Sequence, residues 1–255
     1  MRNDNVIEVK DVSVTYGDFT VLEDINFSVK RGEIFLIVGG SGSGKSTLLK
    51  QMIGLERPDT GAVYINGTDF TNAEKDQRQE ILQQFGVLFQ STGLFASMNV
   101  SENIKLVLRT YTDLSESEMD DIIDIKLSAV GLSGFQEYLP AELSGGMKKR
   151  AALARALALD PGLLFFDEPS SGLDPVTSAS LDNLILELNS AIEATMVIVS
   201  HDLDSILEIA DTVILLDKTR NGIVAQGRTE ELKNMKEEPI VYNFFNRKPM
   251  EKSEV

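Results

Sequence analysis

At 255 residues, 42% hydrophobic and without a cysteine, the chain suits one large domain or a domain with an inserted subdomain, and disulfides and thiolate metal sites are excluded. Its formal charge of −16, from 24 basic and 40 acidic residues, opposes nucleic acid and direct binding to an anionic lipid surface, which both attract lysine and arginine, although the same charge also serves solubility. No run of ~18 apolar residues is present to cross a bilayer, and residues 1–6 lead into a strand-like stretch without the apolar region of a signal peptide, so a cytoplasmic chain tied to any membrane through another protein is expected.

Val6 to Tyr16 and Val21 to Val29 alternate apolar and polar residues, with Val12, Val14 and Tyr16 on one face, as half-buried antiparallel strands do. Ile34 to Val38 is a continuous apolar run, expected of a strand covered on both faces. It enters a glycine-rich turn and a helix over Ser46 to Gly54. A strand (Ala62 to Ile65), a polar helix (Ala73 to Gln84) and an apolar strand (Gly86 to Phe89) follow.

From about Met98 to Leu159 the pattern is mostly helical. Asp113, Glu116, Glu118, Asp120, Asp121 and Asp124 alternate there with Met119, Ile122, Ile123 and Leu127 at helical spacing, which predicts a solvated face over a packed one. Strand–helix alternation resumes with Leu163 to Phe166, Pro175 to Ser190, Thr195 to Val199, Asp202 to Ile209 and Thr212 to Leu216. Asn221-Gly222 reads as a hairpin turn, and the charged end is expected to fray beyond Asn246. The fold class is therefore α/β, a core interrupted by a helical insertion.

Gly39-Gly40-Ser41-Gly42-Ser43-Gly44-Lys45-Ser46-Thr47 has the phosphate-loop spacing, leaving a buried strand and opening a helix. Its glycines let backbone N–H groups converge on phosphate oxygens at a helix N-terminus. Lys45 is expected on the β- and γ-phosphates, and the Ser46 hydroxyl on Mg²⁺. Leu163 to Phe166 ends in Asp167 and Glu168, the first suited to hold Mg²⁺ through water and the second to polarise an attacking water.

Leu143-Ser144-Gly145-Gly146-Met147 opens a helix running to Leu159, whose first turn carries Lys148, Lys149 and Arg150. The helix dipole disfavours cations there by ~0.3–1 kcal/mol each. An anion docking at this helix start would explain them; side chains extending into water are the plainer reading. Asp174, before Pro175 and the periodic Leu181, Leu184, Ile185 and Leu188, is also a helix N-cap. His201, the one histidine, ends an apolar strand, where catalytic groups of open α/β sheets emerge. Tyr16 reads equally well as core or as a ligand-stacking ring.

With these residues in this order the chain resembles the ABC ATPases: a P-loop core with an antiparallel β subdomain and an inserted helical subdomain. The resemblance implies one ATPase domain over 1–245, with core 1–95 and 160–245, a helical subdomain at about 96–159, and a tail at 246–255. Leu143 to Met147 looks like the family's signature, with Met147 in place of Gln. The resemblance makes Tyr16 the ring that stacks on adenine and Gln90 the glutamine that senses Mg²⁺ and the permease. It makes Ser171-Gly172-Leu173-Asp174 the D-loop and His201 the switch histidine. It further implies ATP and Mg²⁺ as cofactors, and action of Ser144, Gly145 and Gly146 in trans on a second subunit's nucleotide. With one P-loop and one signature, the chain is expected to pair with a copy or a relative.

Residues 89–103, Met147 and residues 149–156 are similar to the Mla-type ATPases. That similarity implies phospholipid transport in a Gram-negative envelope, at the cytoplasmic face of the inner membrane. The implied partners are a permease, an MCE-domain protein and a STAS-domain subunit. Phe244-Phe245 could anchor on the neighbouring subunit or pack on its own domain. Another importer or exporter, of lipoproteins or polar amino acids, is the alternative. A non-hydrolysing regulatory module is disfavoured by the presence of Glu168, Gln90 and His201.

Overall fold

The structure is a computed structural model that describes residues 4–249. The chain divides into two compact units, one formed by residues up to Ile81 together with those from Thr195, the other by Leu82–Ala194.

In the first unit, β1 (Asn5–Tyr16) and β2 (Phe19–Lys30) form an antiparallel hairpin, and β4 (Thr60–Ile65) and the short β5 (Thr68–Asp69) extend it, in the order β2-β1-β4-β5, after β3 (Ile34–Gly39) has left for a second sheet. Ile7, Val9, Val12 and Val14 are all buried in β1, although Val9 and Val12 have opposite parity. A register shift between them reconciles this: Asp11 takes φ 52° and its N–H is held by the Asn26 side chain at 2.9 Å, so the extra residue bulges out and the apolar face is kept. Tyr16 lies past the buried stretch and is 47% exposed, which removes it from the core.

The second sheet of this unit has the order β10-β9-β3-β8, with β8 (Thr195–Val199), β9 (Thr212–Asp217) and β10 (Gly222–Gly227). Strand β3 runs parallel to β8 and β9, and β10 is antiparallel to β9. All residues of β3 and β8 are buried, as their unbroken apolar runs predict. The hairpin turn sits slightly earlier than expected: Gly222 already pairs with Asp217, and Asn221 supplies the left-handed residue at φ 47°. Helices α1 (Lys45–Met52), α7 (Leu203–Ile209), α8 (Thr229–Lys233) and α9 (Pro239–Phe245) complete the unit, while α2 (Lys75–Leu82) ends at its boundary. Phe245 is 1% exposed and its ring meets Phe244 edge-on, so of the two readings for this pair, Phe245 packs within its own unit. The expected fraying lies, from Met250 onward, outside the described residues.

The second unit holds the parallel pair β6 (Phe85–Leu88) and β7 (Leu163–Asp167) with α3 (Val100–Tyr111), α4 (Glu116–Ala129), a 3-10 turn (Pro140–Glu142), α5 (Gly145–Ala156) and α6 (Pro175–Ile192). Capping boxes start α3 (Asn99 with Glu102) and α4 (Ser115 with Glu118). Met119, Ile123 and Leu127 form the buried side of α4. Its acidic side is more than a solvated face: Glu116 pairs with Lys105 and Arg109, and Asp120 with Lys105, which ties α4 to α3. Because Leu88 pairs with Phe166, the segments beginning Phe89-Gln90 and Asp167-Glu168 leave the same end of the pair.

Candidate active site

In the first unit the glycine-rich loop leaves β3 at Gly39, whose φ is 151°; a Cβ there would stand 2.2 Å from the Leu216 carbonyl oxygen, so the close approach of β9 requires glycine. The loop delivers Gly44 as the residue before α1, and no side chain caps that helix. A helix start without a side-chain cap is the kind of place where an anion binds. Around Gly40 and Gly42 there is space where a Cβ would be.

Lys45 is 8% exposed, and its Nζ donates to the carbonyl oxygens of Gly39 (2.9 Å) and Gly40 (3.0 Å). The ammonium is thereby folded over the loop it would share with a phosphate. Ser43 is buried with its hydroxyl unpartnered, Ser41 and Ser46 face solvent, and Thr47 is half-buried. An uncapped helix start, an internal ammonium and a buried hydroxyl seeking a partner fit a polyphosphate. Ser46 faces solvent with a hydroxyl of the kind Mg²⁺ takes as a ligand. Among the described residues no group of three or more His, Cys, Asp or Glu forms a metal cage, and Mg²⁺ bound with a nucleotide needs only one or two protein ligands.

Two further groups belong to this unit. Ser200 N donates to Ile37 O at 3.2 Å, so His201 emerges at the same strand ends as the glycine-rich loop, on an exposed turn before α7. Tyr16 Oη donates to Glu56 Oε2, and Lys50 Nζ donates to Glu56 Oε1 at 2.8 Å. Lys50 and then Tyr16 hold the Glu56 carboxyl below its ordinary range, and the same bond to Glu56 raises the Tyr16 phenol. The contact restrains an otherwise exposed ring, with Phe19, 78% exposed, opposite it in the hairpin. Glu56 has no place in any motif read from the sequence; only its fold-back onto Tyr16 reveals it.

In the second unit β7 ends in Asp167, and Glu168 follows it. Glu168 is 8% exposed and has φ 49°, a left-handed conformation that costs a non-glycine residue ~1–3 kcal/mol and collects at functional positions. Gln90, exposed, donates from Nε2 to the Ser171 hydroxyl at 3.2 Å, and Ser171 N donates to the Glu168 carbonyl at 3.2 Å. Asp174 caps α6 by accepting from Val176 N and Thr177 N, both at 3.1 Å; these bonds, with that from the Thr177 hydroxyl the largest, hold its carboxyl below the ordinary range. Ser144 caps α5 by accepting from Met147 N. A Cβ on Gly146 would meet Thr177 Cγ2 at 2.5 Å, so the starts of α5 and α6 are packed against each other. Ser144, Gly145, Gly146 and Asp174 therefore stand on one side of this unit.

Two of the three cations near the start of α5 turn inward. Lys149 is 4% exposed, and its Nζ donates to Gln90 O at 2.6 Å and to Glu168 O at 3.3 Å. Arg150 donates to Val130 O (2.7 Å) and to the hydroxyl of Ser180 (3.0 Å). Lys149 and Arg150 are thus internal tethers, and for these two the readings of an anion partner and of a solvated side chain are both corrected. One turn on, Arg155 donates to Gly93 O (2.6 Å) and Thr92 O (3.0 Å), two residues at positive φ in the loop that follows Gln90. The sequence reading placed Ser171 in the D-loop but not its bond to Gln90, and gave Lys149 and Arg155 no tethering role, because these partners lie 59 to 81 residues away.

The ABC transporter family profile matches residues 22–171. A probable ribonucleotide transport ATP-binding protein, mkl, of Mycobacterium leprae is 43% identical over 240 residues, 94% of this chain and 68% of that protein. The intermembrane phospholipid transport system ATP-binding protein MlaF of Escherichia coli is 42% identical over 243 residues, 95% of this chain and 89% of that one. Among solved structures, cbiO1 from Clostridium perfringens, part of the ABC transporter complex cbiONQ, has a TM-score of 0.82 at 28% identity, covering 92% and 93% of the two chains. The ATP-binding cassette MJ0796, as a post-hydrolysis dimer bound to ADP and Pi, has a TM-score of 0.79 at 30% identity, covering 87% and 98%. With its phosphate loop, paired carboxylates and capped signature helix in place, the chain belongs to the ABC transporter family and is an ATPase subunit of such a transporter.

Proposed function

We propose that this ATPase powers phospholipid transport of the Mla type in a Gram-negative envelope. The supporting observation is the 42% identity to MlaF of Escherichia coli across 95% of this chain, together with Met147 in the signature. In this reading the chain forms one half of a head-to-tail homodimer on a permease, at the cytoplasmic face of the inner membrane, with an MCE-domain protein and a STAS-domain subunit. One ATPase domain spans 1–245 with a helical subdomain at about 96–159. A second reading has equal support in identity: ribonucleotide transport, from the 43% identity to the mkl protein.

The residues take the following roles. Gly39 to Gly44 and the start of α1 bind the phosphates through backbone N–H groups. Lys45 leaves its carbonyl partners for the β- and γ-phosphate oxygens, and Tyr16 stacks on adenine. Ser46, Asp167 and Gln90 hold Mg²⁺, which when bound neutralises charge developing on the phosphates. Glu168 orients and polarises the attacking water, and His201 contacts the γ-phosphate side of the site. Ser144, Gly145, Gly146 and Asp174 act on the nucleotide of the second subunit.

Purification of the assembly from membranes, with identification of bound proteins and lipids, tests the transport reading. A permease with an MCE-domain protein and co-purifying phospholipid is expected. A permease with a nucleotide-binding receptor instead would decide for the mkl-like reading.

A further inference from the structure

The nucleotide chemistry assigned above leaves the buried ammonium of Lys149 without a role, yet its position is an expensive one. Lysine is rarely buried without a partner, and burial pushes this amine's pKa down, with Asp167 and Glu168 only partly offsetting the shift. An apolar side chain of similar length would fill the same space at lower cost. What an apolar side chain cannot do is bond the two main-chain carbonyls that Lys149 reaches.

Those carbonyls belong to Gln90 and Glu168, on the loops leaving β6 and β7. The same loops are joined a second time, by Gln90 Nε2 to the Ser171 hydroxyl and by Ser171 N to the Glu168 carbonyl. Lys149, Gln90, Ser171 and Glu168 thus close a ring of hydrogen bonds. Glu168 sits in that ring at φ 49°, a backbone conformation an L-residue keeps only when its surroundings impose it. Arg155, on the same helix, grips the Gln90 loop further along.

We propose that Lys149 is a positioning residue for ATP hydrolysis, fixing the main chains of Gln90 and Glu168 to the signature helix so that the Glu168 carboxylate is aimed at water only while the Gln90 loop is seated. The proposal rests on the reading of Glu168 as the residue that polarises water. It adds that the helix beginning at Ser144 governs both loops through one side chain.

The test is steady-state ATPase activity and calorimetric ATP affinity of the full chain carrying Lys149→Met, Lys149→Arg or Lys149→Gln. Lys149→Met should lower kcat by about tenfold or more while KM and ATP affinity stay within about twofold, the pattern of an interaction needed only for turnover. Lys149→Arg, whose fork reaches two acceptors, should recover most of the loss. Unchanged kcat in Lys149→Met, or kcat and affinity falling together, overturns the proposal. If Lys149→Met fails to fold, the other two variants decide: arginine should exceed the shorter glutamine by about fivefold in kcat at equal affinity, and equal rates overturn it. A parallel Glu168→Gln chain separates the two readings. Wild-type turnover there removes the assignment of Glu168 itself, whereas a slow Glu168→Gln beside a fast Lys149→Met removes the role of Lys149 alone.

Discussion

The side-chain amide of Gln90 donates to the hydroxyl of Ser171 at 3.2 Å, linking the loop after β6 to the loop that leads into α6. A neutral hydrogen bond of this kind is worth ~0.5–1.5 kcal/mol net. If it presets Gln90 for Mg²⁺, its loss should appear in turnover. Ser171→Ala is expected to lower kcat by about two- to tenfold with ATP affinity unchanged. Rates measured over a Mg²⁺ titration check it: the shortfall should shrink at high Mg²⁺, and a loss independent of Mg²⁺ would place the effect elsewhere.

The two signature glycines should separate stability from activity. A Cβ at Gly145 would lie 3.5 Å from Leu173 Cδ2, an ordinary contact, while at Gly146 it would lie 2.5 Å from Thr177 Cγ2. Thr177 cannot step aside freely, because its hydroxyl and N–H both bond Asp174. Gly146→Ala is therefore expected to cost ~1–3 kcal/mol as overpacking, lowering the urea midpoint. Gly145→Ala should leave that midpoint in place, yet still lose ATPase activity if, as proposed, this glycine lies against the nucleotide of a second subunit. Equal midpoints for the two variants would show that α5 and α6 yield without strain.

Much of this was legible in the sequence because the informative residues are local. The phosphate loop, the apolar strand ending in Asp167-Glu168 and the Asp174-Pro175 helix start each lie within a few consecutive residues and depend on backbone geometry that those residues dictate. What stayed hidden depends on distance. Lys149 looks like one of three cations on a helix until Gln90, 59 residues earlier, is seen to accept from it. The bulge at Asp11 shows only as a change of parity between Val9 and Val12, and Glu56 shows not at all before it meets Tyr16, 40 residues away.

The Tyr16–Glu56 contact has a defined pH window. The Glu56 carboxyl is lowered from 4.5, so its contribution is present above that ordinary value and is lost as pH falls through the lower folded value. The Tyr16 phenol is raised from 10.0, so the neutral form is favoured by the fold, and its contribution is present below that value and lost as pH rises through the raised one. The contact thus spans the whole neutral range. An absorbance titration of the five tyrosines should show one ionising late, and Glu56→Ala should return it to the ordinary range. An unchanged titration curve in Glu56→Ala would mean that Tyr16 has no such restraint in solution.

Action of the signature in trans is open to a mixing experiment. Ser144 caps α5 on the second unit, whereas Lys45 folds over the phosphate loop of the first, so one substitution in each disables a different half of the proposed composite site. Lys45→Ala should weaken ATP binding in its own chain, and Ser144→Arg should leave binding intact while blocking the neighbour's nucleotide. Each variant alone gives a dimer with two defective sites. A mixed dimer holds one site with both defects and one with neither, so an equimolar mixture should recover up to about a quarter of wild-type activity, since half the dimers are mixed and each has one intact site. Recovery requires that signature and phosphate loop come from different chains. If the chains associate and no activity returns, the nucleotide is not shared between subunits in this way, and Ser144 acts within its own chain.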